Sequence, residues 1–392
     1  MISGYLRPDG RMGIRNHVLV LSSVGCANAV VRRISQQVEG VVGVENTKGC
    51  GQVGKGIETM RRSLVNLPQN PNVFGTLIVG LGCESTRPLD LAEQISRMSD
   101  KPIRAIIIQD CGGSLGAIEE GVRAARELVA HAALVQRIPM PLDKLVLGTN
   151  CGGSDATSGL AANPTIGLVS DWVINGGGTV LMGETTELIG AEHILAHRAV
   201  TKEVASDILR MVDHLEEDFL SNDIDVRGAN PSPGNMRGGL STLEEKSLGG
   251  ISKGGSHPIS QVVRYGEVPS KRGFVLMDTP GYDIESVSGM STGGAQVMLF
   301  STGRGTPIGN PLMPVIKVTA NARTYRRMRD NVDFDASGVI TGLATMEEQA
   351  ALLRGMLVNV CNGELTRAEA LGFDDFTIYH GQEYWCSCEF ES

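Results

Sequence analysis

Aromatic residues and long apolar runs are scarce in this chain, and both absences exclude classes of function. Only 4% of the 392 residues are aromatic, which argues against stacking platforms for nucleobases. The net charge is -9 and there is no block of lysine or arginine, so nucleic acid and anionic membranes are poor partners. No apolar run approaches the roughly 20 residues of a membrane span. The N-terminus lacks the apolar stretch of a secretion signal, and we expect a cytoplasmic protein.

Nucleotide-binding fingerprints are missing too. The glycine-rich loop after residue 300 is not a P-loop, because no Gly-Lys-Ser/Thr follows it. No GxGxxG with an acidic partner is present, which disfavours a Rossmann-type dehydrogenase. The eight cysteines show no CxxC zinc spacing. In a cytoplasmic protein they serve as free thiols, metal ligands or catalytic groups rather than as disulfides.

Short apolar runs alternate with helical stretches through the first half of the chain. Such alternation predicts an α/β protein with a parallel sheet covered by helices on both faces. The predicted strands are residues 18–21, 41–44, 77–81, 103–108, 145–147 and 179–182. A second, smaller α/β unit is predicted from strands at 274–277, 297–300 and 315–318.

This pattern predicts three regions. Residues 1–221 form a first α/β domain that begins with an arginine-rich arm, and the arm is predicted to be a loop. Residues 222–268 are rich in glycine, proline and asparagine and are predicted to be a linker or lid. Residues 269–392 form the second α/β domain with a helical C-terminal tail.

Cysteine follows five of the first six predicted strands, each time beside glycine, and the sixth is followed by Glu184. Right-handed crossovers would place all six loops at one edge of one sheet. Two interpretations stay open: tight packing at strand ends, or a site with soft ligands or nucleophiles. The cysteines are Cys26, Cys50, Cys83, Cys111 and Cys151.

Several long motifs together resemble the altronate/galactarate dehydratase family. They include Gly-Cys-Gly-Gln at 49–52, Cys-Gly-Gly-Ser-Asp at 151–155 and Met-Asp-Thr-Pro-Gly-Tyr at 277–282. The other matching stretches are residues 10–16, 80–84, 183–187, 190–193 and 303–305. The resemblance covers nearly the whole chain in the same order.

This resemblance implies a metal-dependent lyase that converts a sugar acid such as altronate to a 2-keto-3-deoxy acid. It implies Fe²⁺ as cofactor, and a large subunit that works with a separate small subunit carrying a SAF-type domain; we also expect an oligomer. Residues 309–317 resemble the large subunit of sulfolactate sulfo-lyase, so release of sulfite is an alternative. Two further alternatives are a non-catalytic binding subunit and an iron–sulfur dehydratase that uses Cys50, Cys83, Cys111 and Cys151.

Removal of a proton next to a carboxylate needs a base and positive charge to stabilise the enediolate. The predicted catalytic residues are Glu184, Glu187 and His193, which follow the sixth strand. The predicted metal ligands are Cys50 and Cys151. The residues predicted to bind substrate carboxylate or hydroxyl groups are Arg11, Arg15, Ser154, Asp155 and Arg304.

Overall fold

The computed structural model describes residues 1–52 and 54–380. In chain order its strands are β1 (Ile2–Leu6), β2 (Met12–Gly13), β3 (His17–Ser22), β4 (Val41–Val44), β5 (Val73–Gly80), β6 (Ile103–Ile107), β7 (Arg137–Met140), β8 (Val146–Cys151), β9 (Thr179–Met182), β10 (Ile259–Val263), β11 (Gly273–Met277), β12 (Val297–Ser301), β13 (Val315–Thr319) and β14 (Phe334–Asp335).

The α-helices vary from single turns to twenty residues. They are α1 (Asn28–Ser35), α2 (Lys55–Asn66), α3 (Pro88–Ser96), α4 (Ser114–Ala132), α5 (Asn163–Asn175), α6 (Glu192–His197), α7 (Lys202–Ser221), α8 (Val226–Ala229), α9 (Pro233–Arg237), α10 (Leu243–Ile251), α11 (Asp283–Thr292), α12 (Ala322–Arg327), α13 (Ser337–Thr341), α14 (Met346–Cys361) and α15 (Arg367–Leu371). Among the described residues, no helix is long and apolar enough to cross a membrane.

The first sheet has four parallel strands in the order β4-β3-β5-β6. Its strands alternate between two apolar cores. Val20 of β3 packs in the core formed with α1 and α4, whereas Leu21, the next residue, packs in the core formed with α2 and α3. Both faces of this sheet are therefore covered by helices, which explains the continuous apolar runs of its strands.

The second sheet has seven parallel strands in the order β10-β11-β9-β8-β12-β13-β14. Leu147 of β8 lies in the core that α5, α7 and α14 form on one face. Met298 of β12 lies in the core that α11 forms on the other face. The predicted fold class, a parallel sheet with helices on both faces in an α/β protein, is confirmed.

The assignment of six successive strands to one edge is wrong. β3 to β6 form the first sheet, but β8 and β9 join the second sheet together with strands from the C-terminal half. Four of the strand-end cysteines thus belong to one sheet and Cys151 to the other. An apolar run shows that a strand forms, but long-range packing decides which sheet it enters.

The sheets also divide the chain differently from the predicted regions. Residues 1–221 contribute to both large sheets, and the predicted linker at 222–268 contains α8, α9, α10 and the edge strand β10. Residues 381–392, which the predicted second domain includes, lie outside the described residues.

The N-terminal arm is not a loop throughout. β1 pairs with β2 and with β7 to form a small antiparallel sheet of order β2-β1-β7. Ile2 is opposite Met140 in this sheet. Strand β7 lies more than a hundred residues after β1 in the sequence, so local sequence patterns did not indicate this pairing.

Candidate active site

A cavity of about 540 Å³ opens at the carboxyl ends of β8, β9 and β11, which are neighbours in the second sheet. Cys151 ends β8, Glu184 follows β9, and Asp283 begins the helix after β11; all three line the cavity. Ligands of open parallel sheets bind at this edge because the loops that leave the strands converge there.

The loop of Glu184 is held in a strained conformation. Glu184 has a φ angle of 70°, in the left-handed region that non-glycine residues rarely adopt. Its N–H donates to Thr279 Oγ1 at 2.6 Å, and its Oε2 accepts from the N–H of Cys151 at 2.9 Å. These bonds fix the carboxyl group between β8 and β11. Strain that is held in place in this way is frequent at functional sites.

Glu187 forms the strongest ion pair of the cavity. Lys253, in the turn that follows α10, is fully buried, and its Nζ lies 2.6 Å from Glu187 Oε2 and 3.8 Å from Glu184 Oε2. Burial lowers the pKa of Lys253, but the charges of Glu187 and Glu184 outweigh this and raise it above its ordinary value. Lys253 is thus an ammonium group held against Glu187 and Glu184.

The pKa values of the other two carboxyl groups are raised. Burial, followed by repulsion from Glu187, raises the pKa of Glu184 well above its ordinary value. The same two causes raise the pKa of Asp283 to about 6. Glu187 and Glu184 lie next to the buried ammonium group of Lys253. The cation that acts on Asp283 is instead Lys246, so the three carboxyl groups have different surroundings. Different surroundings of this kind are how active sites assign acid and base roles.

Lys246 of α10 supplies positive charge at the cavity wall. Its side chain is 15% exposed, and its Nζ donates to Asn230 Oδ1 at 3.1 Å. The distance from this Nζ to Glu187 Oε1 is 3.9 Å. Lys246 is thus a cation that can reach a bound anion without breaking a short ion pair.

The segment predicted to be a linker or lid forms one wall of the cavity, with Asn230, Ser232 and Asn235 among the lining residues. Asn235 Nδ2 donates to the carbonyl oxygen of Ser154 at 2.9 Å, which attaches this wall to the Cys151 loop. Sequence patterns missed Lys246, Lys253 and Asp283. The one signal next to Asp283 was the motif at 277–282, which ends at the residue before it.

The residues predicted to hold iron do not fit such a site. Cys50 is exposed in the loop after β4 of the first sheet, whereas Cys151 is buried in the second sheet. Burial raises the pKa of the Cys151 thiol to about 12, and its Sγ lies 2.7 Å from Ser154 Oγ. A cysteine binds a metal ion as the thiolate, and the raised pKa of Cys151 opposes that form. No group of three or more His, Cys, Asp or Glu residues within 1–52 and 54–380 could hold a metal ion.

Asp155 and Arg304 are not among the residues that line the cavity, and they hold neighbouring loops in place. Asp155 Oδ1 accepts from the N–H of Ser158 at 3.0 Å, and Asp155 Oδ2 accepts from Asn321 Nδ2 at 2.8 Å. Its carboxylate is therefore used to fasten the loop after β8. Arg304 is exposed, and its Nη1 donates to the carbonyl oxygen of Gly234 at 3.0 Å. It thus ties the loop after β12 to the cavity wall.

Three other predicted residues lie elsewhere. His193 is exposed on α6 and is not among the residues lining the cavity. Arg11 pairs with Asp9 at 2.6 Å and lines a separate cavity of about 230 Å³ near the start of β8. Arg15 is buried and pairs with Glu369 of α15 at 2.8 Å.

Arg15 is expected to contribute to stability rather than to substrate binding. Its Nη1 also donates to the carbonyl oxygen of Val360, so the side chain joins the N-terminal segment to α14 and α15. Arg15→Ala should lower the free energy of unfolding by about 3 kcal/mol, because it leaves a partly buried carboxylate unpaired. Urea denaturation measures this loss. A raised KM with unchanged stability would contradict it.

Comparison with known proteins now gives the family. A model described as D-galactarate/Altronate dehydratase, C-terminal, matches residues 142–383. A second, described as D-galactarate dehydratase/Altronate hydrolase, second domain, matches residues 4–133. This chain belongs to the D-galactarate/altronate dehydratase family. The two matched regions meet near β7, where the chain passes from the first large sheet to the second.

Three similar proteins are named after an enzymatic activity. Altronate dehydratase of Bacillus subtilis is 34% identical over 389 residues, which are 96% of this chain and 77% of that protein. (2R)-sulfolactate sulfo-lyase subunit beta of Chromohalobacter salexigens is 36% identical over 377 residues, 96% of both proteins. Galactarate dehydratase (L-threo-forming) of Escherichia coli is 34% identical over 380 residues, 92% of this chain and 72% of that protein.

Proposed function

We propose that this chain is the large subunit of a lyase that dehydrates a sugar acid such as altronate to a 2-keto-3-deoxy acid. The observation that carries the proposal is the Glu187–Lys253 ion pair beside a cavity at the strand ends. Two of the three relatives described above are named as dehydratases of sugar acids. The cavity volume of about 540 Å³ is within the usual range for small-molecule sites.

The proposed chemistry begins with Glu187 as the general base. Its carboxylate faces the cavity beside the ammonium group of Lys253, so it can accept the α proton of a bound sugar acid. Negative charge then develops on the substrate carboxylate, and Lys246 is placed to bind that group. Glu184 holds the Cys151 loop in place through the N–H of Cys151.

Lys246→Gln should raise KM for the sugar acid by roughly 10- to 100-fold, the loss expected for a charged hydrogen bond. The value of kcat should fall as well, because Lys246 also stabilises the negative charge that develops on the substrate carboxylate. Steady-state kinetics measure both constants. Lys271→Gln, an exposed lysine near the other cavity, is the matched control. An unchanged KM would remove Lys246 from the binding site.

A substrate panel tests the function. Aldonates, aldarates and sulfolactate are incubated with the chain, alone and with a small SAF-type subunit, in the presence and absence of ferrous iron. A 2-keto-3-deoxy acid as product supports the dehydratase. Failure of every sugar acid under every condition would refute it, and would favour a non-catalytic binding subunit if sulfolactate fails as well.

Sulfolactate sulfo-lyase is the second candidate. The specific observation in its favour is that this chain aligns with 96% of the sulfo-lyase subunit beta, but with only 77% and 72% of two dehydratases. Because that relative is named as a subunit, a small partner subunit is proposed for this chain too. Ferrous iron and a cytoplasmic location stay predictions, which the iron arms of the panel and cell fractionation test.

A further inference from the structure

Asp283 is the carboxyl group of the cavity that has no partner. It is the first residue of α11 and lines the same cavity as Glu184 and Glu187. Glu184 accepts a backbone hydrogen bond and Glu187 pairs with Lys253. Asp283 makes no hydrogen bond and no ion pair with any residue in the described part of the chain. Its carboxyl oxygens are therefore available to a ligand.

The position of Asp283 depends on a residue without a side chain. A Cβ atom at Gly152 would lie 3.1 Å from Asp283 Oδ2 and 2.7 Å from Phe300 Cε1. Glycine in the loop after β8 thus leaves the space into which the carboxyl group of Asp283 projects. A helix-starting aspartate that served only to cap α11 would turn to the helix N–H groups; this one lines the cavity.

We propose that Asp283 is the general acid that protonates the departing β-hydroxyl group. This inference rests on the proposed function. Glu187 takes the α proton, and the electron pair of that C–H bond moves into the substrate carboxylate as an enediolate. The enediolate then returns the pair to form the Cα–Cβ double bond. The Cβ–O bond breaks, and the proton of Asp283 joins the leaving oxygen as water forms. The enol product then becomes the 2-keto acid by proton exchange with solvent, and a proton passes from Glu187 through solvent back to Asp283.

The leaving group explains why such an acid is needed. Hydroxide is a poor leaving group, so the breaking of the Cβ–O bond requires a proton. Sulfite leaves as a stable anion and needs none. A general acid in the cavity therefore favours elimination of water over elimination of sulfite, which narrows the substrate to a β-hydroxy acid.

The charged groups around Asp283 set its pH dependence. Glu187 and Glu184 face it from the loop after β9, and Lys246 faces it from α10. Burial and Glu187 raise the pKa of Asp283 to about 6, while Lys246 acts in the opposite direction. A group that acts as an acid must be protonated, so kcat/KM should fall as the pH rises above about 6. Asp283→Asn should lose this alkaline fall.

Exchange of the substrate's α proton distinguishes a general-acid role of Asp283 from a structural role. Asp283→Asn is nearly isosteric and should lower water elimination from the sugar acid at least about 100-fold, the usual size of a general-acid contribution. Exchange of the α proton for deuterium in D₂O, followed by NMR, should stay within about tenfold of wild type because Glu187 is intact. Glu187→Gln should lose both exchange and elimination. Glu285→Gln, on the same helix, is the control with wild-type activity.

Two outcomes would overturn the proposal. One is elimination by Asp283→Asn within about threefold of wild type, and the other is loss of exchange together with elimination in a variant whose circular dichroism is native. Failure of the proposed function is distinguished from these outcomes, because the wild-type protein would then not dehydrate any sugar acid. Sulfite release as the only wild-type activity would overturn both.

Discussion

Replacing Glu187 by glutamine should reduce turnover of the sugar acid roughly a thousandfold or more. A positioned general base contributes about 10²- to 10⁴-fold, and glutamine keeps the size of the side chain but cannot accept the α proton. KM should change little, because Lys246 still binds the substrate carboxylate. Steady-state kinetics, under the conditions of the substrate panel that give turnover, measure the loss.

The control for this variant is Glu347→Gln, an exposed glutamate in the first turn of α14. It makes the same chemical change far from the cavity and should leave kcat unchanged. Near-normal turnover by the Glu187 variant would mean that another group is the base, with Glu184 the next candidate because it also lines the cavity.

Lys253→Met should destabilise the fold by about 3–5 kcal/mol. Lys253 is fully buried and is the partner of Glu187 at 2.6 Å, so its loss leaves a buried carboxylate without a counter-charge. Urea denaturation at neutral pH measures the change in the free energy of unfolding.

A double variant shows whether the ion pair causes the effect. Glu187→Gln combined with Lys253→Met removes both charges and should recover most of the stability that Lys253→Met loses. If the double variant is as unstable as the sum of the two single variants, the side chain of Lys253 stabilises the fold by packing alone.

Much of the second sheet could be predicted from the sequence, because its central strands are continuous apolar runs that end in polar loops. Glu184 and Glu187 were selected as site residues because they follow such a run, and they line the cavity. The same argument selected Cys50, which follows a strand of the other sheet. Local patterns predict strands and their ends, but the order of strands depends on contacts between distant residues.

Lysines of the site could not be predicted in this way. Lys246 and Lys253 lie in a segment whose glycines and prolines are typical of a linker. The segment nevertheless forms α10, which packs against α5, and Lys253 in the turn after α10 is completely buried. Arg15 is the opposite case. A guanidinium group in a motif of the family was interpreted as a substrate ligand, whereas it joins two distant parts of the chain through Glu369. Charge alone does not distinguish a ligand from a structural ion pair.

A crystal structure of the Glu187→Gln variant with altronate tests the central claim most directly. Altronate should bind in the cavity at the ends of β8, β9 and β11. Its carboxylate should contact Lys246, its α carbon should lie next to residue 187, and its β-hydroxyl group should lie next to Asp283. Altronate bound instead beside Arg11, or at the cysteine-bearing edge of the first sheet, would contradict the claim.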